Sequence, residues 1–390
     1  MKRKILFVCY SLKVGGIERA LVEQINYLAE KGEDVSLYLF TINGQYLKDV
    51  NNKVKIIGNM PFFKYLSLTQ KEAKEKGGFV FWFRTFFAVV VKIIGFPILW
   101  KMLSPFISQI GKYDVAISYT SNISLKSLYC GCPEFVLDKV EAKQKIAWIH
   151  ADYQRSNMAC QYNNLLYQRF DEVVNVTECM KRKFDALKLI PEKKSKFIYN
   201  RFDANQIIQK ANLHTASYHS DWMNIVTVGR LEKEKGVDQL MYVAKRMFDK
   251  GIKFCWYFVG TGVLDEWCKD FVKNNKMESS VQFLGQKSNP YPYVKNAGIF
   301  ISGSLSETFG LSIIEALVLG VPTVAYKFDA IDEILNRNNG LVANSFDEMQ
   351  LLVEQLLTDN SSYEQLKSRT QILLDYNNLN AIQIEQLLKR

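Results

Sequence analysis

The chain opens with alternating apolar and amphipathic segments. KILFVCY is an apolar run of strand length, SLKVGG is a glycine-containing turn, and IERALVEQINYLAEKG repeats apolar residues at helical spacing before stopping at Gly32. DVSLYLF is apolar again over a strand length, so the opening reads strand–helix–strand, the grammar of a parallel sheet with crossover helices. Short apolar runs recur at YDVAIS, KIAWIH, EVVNVT and KFIYN. The pattern restarts at residue 222 with NIVTVG, a helix over KGVDQLMYVAKRMFDKG, and CWYFVG; SVQFLG, GIFISG and VPTVAY follow as further strands. Between the halves, KANLHTASYHSDW is polar and aperiodic.

These patterns predict an α/β protein of two Rossmann-like, doubly wound domains facing across a cleft. The first is expected over residues 1–208, a linker over 209–221, the second over 222–371, and a C-terminal helix packing back on the first domain over 372–390. A length of 390 residues suits two domains, because single cores stop growing near ~250–300 residues.

One segment departs from the alternation. Residues 61–107 are aromatic-rich and basic, and GGFVFWFRTFFAVVVKIIGFPILWKML approaches the ~20 apolar residues of a membrane span. Arg84 and Lys92 interrupt that run and Pro97 kinks it, so contact with a membrane interface or a hydrophobic surface hairpin is expected ahead of core burial, and spanning last. Charge sharpens the picture. Residues 1–205 hold 31 Lys/Arg against 19 Asp/Glu, whereas the remainder holds 19 against 21, which directs an anionic surface to the first half. The apolar content of 61–107 is too high for a wet nucleic-acid interface, so no nucleic-acid partner is expected.

The seven cysteines are odd in number and scattered, and Cys130 with Cys132 makes only a C-x-C, which fits a reduced, cytoplasmic chain. The basic–apolar start, MKRKILFVCYSL, is too short in its apolar part for a signal peptide and reads as the first strand.

Candidate chemistry concentrates late in the chain. SETFGLSIIEALVLGVPT places Glu307 and Glu315 eight residues apart, one before and one inside an apolar helix that starts near Phe309–Gly310. A helix N-terminus with a glycine offers free N–H groups to phosphate oxygens, and ionised carboxylates accept hydroxyls of a sugar or a ribose. In VGRLEKEKGVDQL, Arg230 and Lys235 flank one strand–helix turn, two cations suited to a diphosphate. No D-x-D for a diphosphate-bound divalent metal occurs, and SLKVGG does not fit the G-x-G-x-x-G of a nicotinamide dehydrogenase.

GRLEKEKG, then VGTG at 259–262, then SETFGLSIIEALVLGVPTVA together resemble glycosyltransferase family 4 over nearly the whole chain. The resemblance implies the GT-B fold and a retaining, nucleotide-sugar-dependent transferase. It implies that Glu307 meets donor-sugar hydroxyls, Glu315 holds the ribose, and Arg230 and Lys235 clamp the diphosphate. Backbone amides around Thr308, Phe309, Gly310 and Leu311 would meet phosphate and sugar, with the base near Gln286 and Lys287. In the first half VGGIER resembles the family's glycine loop, so Gly15 and Gly16 would approach donor phosphate or acceptor, and His150, ending WIHAD, would touch the transferred sugar; His214 and His219 read as bland. YNRFD resembles an N-G-x-D hinge with Arg201 in place of glycine, which leaves Asn200 and Asp203 without an assigned role.

The expectation is a metal-independent hexosyltransferase with no cofactor. It would act on a lipid-linked glycan in capsule, exopolysaccharide or envelope synthesis, peripheral on the inner face of the cell membrane. A sugar-nucleotide epimerase of the same fold, and a basic nucleic-acid- or membrane-binding protein without catalysis, are the alternatives.

Overall fold

The computed structural model describes residues 2–13, 15–58, 60, 63–66, 68–218, 221–335, 339–370 and 375–389. His219 lies outside the described residues, as does part of the segment expected to begin at residue 61. The chain divides into two compact units, Met1–Phe202 with Asn377–Arg390, and Asp203–Tyr376.

The first unit is built on seven parallel strands, β1 (Lys4–Cys9), β2 (Asp34–Leu39), β3 (Lys55–Gly58), β4 (Ile110–Ser118), β5 (Val140–Ile149), β6 (Glu172–Asn175) and β7 (Ser195–Phe197). Their spatial order is β3-β2-β1-β4-β5-β6-β7, with Phe7 opposite both Leu37 and Ile117. The central strands are apolar on both faces because helices cover both, so they read as continuous apolar runs. The second unit carries six parallel strands, β8 (Met223–Val228), β9 (Phe254–Val259), β10 (Val281–Gly285), β11 (Ile299–Ser302), β12 (Thr323–Tyr326) and β13 (Leu341–Ala343), in the order β10-β9-β8-β11-β12-β13. In each sheet the order reverses between the first and fourth strand, at β1/β4 and at β8/β11. Loops at the carboxyl ends of such a pair form the ligand crevice of an open α/β sheet.

The described residues of the 61–107 segment pack in part and are exposed in part. Short helices Phe63–Leu66 and Gln70–Glu75 precede the long helix Gly78–Ile94 and the helix Phe96–Leu103. Thr69 and Glu72 close a capping box at the second of these, and Glu72 also takes Lys13, which lowers its carboxyl pKa despite the burial that opposes it. Phe63, Val91, Phe96 and Trp100 lie in the first unit's core and Phe83 and Phe87 pack against it, while the opposite face is solvent-exposed. Arg84 is turned inward, its Nε donating to the Leu68 carbonyl. Among the described residues no single helix is long and apolar enough to cross a membrane; only the pair Gly78–Ile94 and Phe96–Phe106, bent by 119°, passes by length and composition together.

The junction differs from the expected linker. The first unit ends at Phe202, and residues 204–211 form a helix of the second unit whose N-cap is Asp203, accepting from the Gln206 N–H at 2.9 Å. The expected linker at 209–221 therefore begins inside a helix, because its first residues complete an amphipathic turn that buries Ile207 and Ala211. The terminal helix Asp375–Leu388 belongs from Asn377 to the first unit, where Asn380 donates to Gln24 Oε1 (2.8 Å) and the Tyr199 carbonyl (2.7 Å). Arg201 is not among the residues of positive φ, so its position does not demand glycine; its guanidinium lies 3.8 Å from the centre of the Tyr27 ring and donates to the Asn377 carbonyl.

Candidate active site

The loops after β8 and β11 make the crevice of the second sheet, and glycines let their backbones meet. The turn Lys233–Lys235 ends at Gly236, whose φ of 63° is left-handed, and a Cβ there would stand 2.1 Å from the Gly303 carbonyl oxygen. The Leu305 N–H donates to the Glu234 carbonyl at 3.0 Å, stitching one loop to the other. Only glycine fits at 236, which is why KEKG is followed at once by a helix, Val237–Asp249.

That stitching brings Lys235 and Glu307 together, 72 residues apart in sequence. Lys235 Nζ donates to Glu307 Oε1, and Ser304 Oγ donates to the same oxygen at 3.0 Å. The pair is mostly buried, its side chains 23% and 20% exposed. Oε2 is left as an acceptor for another group, and Lys235 has three donors, so it can hold Glu307 and an anion at once.

Arg230 does not join this pair. Its side chain is 64% exposed and pairs with Glu232 at 2.8 Å within its own loop. The expectation that Arg230 and Lys235 act as twin cations thus divides into a buried, oriented one and an exposed one.

Gly310 sits at φ 63°, ψ 47°, and opens the helix Leu311–Val318 with no side-chain cap. The helix ladder begins with Ile313 and Ile314 donating to the Gly310 carbonyl, so the N–H groups of Leu311 and Ser312 precede it. Phe309 is a buried anchor packed edge-on against Tyr376, with ring centres 6.0 Å apart, so any ligand contact there falls to its backbone. Thr308, half-buried, directly precedes it. Glu315 lies one turn into the helix, half-buried, and accepts from the hydroxyl of buried Tyr291 at 3.4 Å. Gln286 is exposed just after β10, and the Lys287 ammonium lies 5.6 Å from the Tyr293 ring centre.

In the first unit, Gly15 and Gly16 begin the helix Gly16–Glu30 after β1. Gly15 is extended, but a Cβ on it would meet Glu18 Oε2 at 2.2 Å, so the Glu18 carboxyl folds over the helix start. Burial raises the pKa of that carboxyl. An acidic group over this turn disfavours a phosphate there and suits a hydroxyl. His150, following β5, is buried with its ring centre 4.4 Å from that of Tyr119 and nearly parallel to Trp148. Desolvation pushes its pKa down to about 3, so the imidazole is neutral near pH 7. Asn200 is buried near the end of the first unit. Sequence reasoning missed Ser304, Tyr291 and Glu18; Ser304 and Glu18 each lie three residues from a residue already singled out.

Among the described residues no group of three His, Cys, Asp or Glu side chains is placed to hold a metal ion, and the seven cysteines are free.

Residues 220–372 match the family described as glycosyl transferases group 1. Over 386 residues the chain is 24% identical to an uncharacterized glycosyltransferase of Haemophilus influenzae, covering 96% of this chain and 95% of that one. A poly(ribitol-phosphate) alpha-N-acetylglucosaminyltransferase of Staphylococcus aureus is 28% identical over 149 residues, 37% of this chain and 30% of that protein. Among solved structures, Anabaena HepE in complex with UDP and glucose superposes with a TM-score of 0.68 at 18% identity, covering all of both chains. A variant of S. aureus TarM, in complex with UDP, fondaparinux and alpha-GlcNAc-glycerol, does so at 0.69 and 14%, again over all of both. The two doubly wound units are therefore those of the GT-B fold, the second carries a glycosyl transferases group 1 domain, and the protein is a glycosyltransferase.

Proposed function

We propose that the protein is a retaining, metal-independent hexosyltransferase of family 4 that moves a sugar from a nucleotide diphosphate donor to a hydroxyl of a lipid-linked glycan. The observation that carries this reading is the Lys235–Glu307 pair at the β8/β11 crevice, held by Ser304 and close in sequence to the uncapped helix start at Gly310. The donor diphosphate lies against the N–H groups of Leu311 and Ser312 and the Lys235 ammonium, with Arg230 swinging in from solvent. The ribose hydroxyls are held by Glu315, the base rests near Gln286 and Lys287, and a sugar hydroxyl donates to Glu307 Oε2. The UDP bound by HepE and TarM supports a nucleoside diphosphate leaving group.

Transfer follows front-face attack. The bond from the anomeric carbon to the diphosphate oxygen breaks, the acceptor oxygen bonds the same face of that carbon, and the acceptor proton passes to the departing diphosphate. Positioning and electrostatic stabilisation of the leaving group supply the rate, with no nucleophile from the protein. The loop at Gly15, Gly16 and Glu18 serves the acceptor, and neutral His150 meets the transferred sugar as a hydrogen-bonding group.

The setting is capsule, exopolysaccharide or envelope synthesis at the cytoplasmic face of the membrane. A Campylobacter jejuni relative, 29% identical over 179 residues, is a diphospho-undecaprenol-linked N-acetylgalactosaminyltransferase, which supports a lipid-linked acceptor. Incubation with a panel of UDP-sugars and polyprenyl-diphosphate glycans, read by mass spectrometry of the lipid product, tests the reading. A hexose added with its anomeric configuration kept is the expected product. Epimerised nucleotide sugar, with no acceptor glycosylated, overturns it.

A further inference from the structure

We propose that the first unit docks on an anionic lipid surface through the outer faces of the helices Gly78–Ile94 and Phe96–Leu103, lying among the headgroups and not crossing the bilayer. Phe79, Trp82, Phe86, Val89 and Ile93 recur at spacings of three and four, which places them on one stripe of the first helix. That stripe faces solvent: Phe79 is 80% exposed, Trp82 70%, Phe86 62% and Ile93 75%. Ile98, Met102 and Phe106 continue the exposure past the bend. Contiguous apolar surface of this kind marks an interaction site.

The side chains that argue against lipid in the sequence are placed differently in the fold. Arg84 is buried on the opposite face and bound to the Leu68 carbonyl, so it does not interrupt the stripe. Lys76, Lys92 and Lys101 are exposed, and no Asp or Glu occurs between Glu75 and Asp114. Basic side chains beside exposed aromatic residues complement anionic headgroups above acyl chains. A second copy of the chain fits less well, because a self-complementary contact would set Lys76, Lys92 and Lys101 against their own copies. Spanning is opposed by the inner face, where Val91, Phe96 and Trp100 are committed to the protein core, and by the 119° bend.

This surface needs neither donor nor acceptor, so its test is separate from that of the transfer reaction. The purified full chain is sedimented with phosphatidylcholine vesicles and with vesicles containing about 30% phosphatidylglycerol, at low and high salt. Binding at least ~tenfold stronger to the anionic vesicles, partly reversed by salt, is expected. Trp82→Phe should bind as the unsubstituted protein does, yet lose the quenching of tryptophan emission that brominated acyl chains otherwise cause. Trp82→Ser with Phe86→Ser and Ile93→Ser should lower vesicle binding at least ~tenfold while nucleoside diphosphate binding stays unchanged, which reports an intact fold. Equal binding to both vesicle types, no binding, or quenching that survives Trp82→Phe overturns the proposal. So does a lipid-free dimer that the triple substitution dissolves, which would assign the stripe to a second copy.

Discussion

Because Lys235 and Glu307 touch each other, removing both should cost far less than the sum of removing each. Take Lys235→Met and Glu307→Gln, which keep side-chain volume while deleting the charges. Each is expected to lower kcat/KM by ~10²–10³, or about 3–4 kcal/mol, the usual loss when an electrostatic stabiliser is removed from a site. If the two acted independently, the double variant would lose about 6–8 kcal/mol.

The contact changes that arithmetic. Two unit charges about 4 Å apart attract by roughly 4 kcal/mol at the effective dielectric of 20 suited to proteins, and desolvation takes part of this back. With side chains only 23% and 20% exposed, little of the remainder is screened. A coupling of about 2–3 kcal/mol is left, so the double variant should lie only about 1 kcal/mol, or ~fivefold, below either single one. Ser304→Ala, which removes the other donor to Oε1, should cost about 1.5–3 kcal/mol, mostly in kcat. Steady-state rates at subsaturating donor give all four corners of the cycle. A double variant whose loss equals the sum within about 0.5 kcal/mol would show that the pair does not act as a unit.

Glu315→Gln should weaken nucleoside diphosphate binding measured by calorimetry, while Glu307→Gln leaves it nearly intact and lowers transfer; equal losses of affinity would refute the division of roles. Under the proposed mechanism transfer should survive exhaustive chelation, since cationic side chains and a helix start would take the place of a D-x-D-bound metal, and an absolute need for added Mn²⁺ or Mg²⁺ would end that reading. His150 gives an acid sensitivity whose sign follows from its depressed pKa: the unfolded chain binds a proton below about 6.5 and the folded one only near 3, so stability is lost as pH falls through this interval. Between pH 7.5 and 5 that loss is about 2 kcal/mol, present in denaturant titrations of the protein and absent in His150→Gln; parallel pH profiles would refute it.

The sheets were legible because buried parallel strands are continuous apolar runs that glycine turns separate, so KILFVCY and CWYFVG announce β1 and β9 directly. The strands not anticipated, β3 and β13, are edge strands of four and three residues, too short for periodicity to mark. The helix 204–211 is hidden for a different reason: YNRFD resembles a hinge motif, which masks that the Asp203 side chain is an N-cap. The inward turn of Arg84 depends on the Leu68 carbonyl sixteen residues away, and no local pattern tells which face of an apolar helix a single cation takes. The Lys235–Glu307 contact was legible only as two candidates. What joins them is the backbone approach of Gly236 to Gly303, a consequence of β8 and β11 being neighbours in a sheet although their paired residues, such as Ile225 and Ile299, are 74 apart in sequence.

The two sheets share the same reversal of strand order between their first and fourth strands. At β8/β11 the loops present a mostly buried ion pair, an exposed arginine and a helix start without a side-chain cap; in the proposed reading the pair and the helix start are the fixed charges and dipole that stabilise a leaving diphosphate. At β1/β4 the corresponding places hold Glu18 folded over Gly15, and Tyr119 against a neutral His150. A phosphate would meet a carboxyl there; a hydroxyl would meet an acceptor. If the turn of the first unit serves the acceptor as proposed, exchanging Glu18 for Gln should weaken use of the acceptor while leaving nucleoside diphosphate affinity alone. If calorimetry instead shows Glu18→Gln tightening the nucleotide and acceptor KM unmoved, the first unit's turn belongs to the donor phosphate and the assignment of the two units fails.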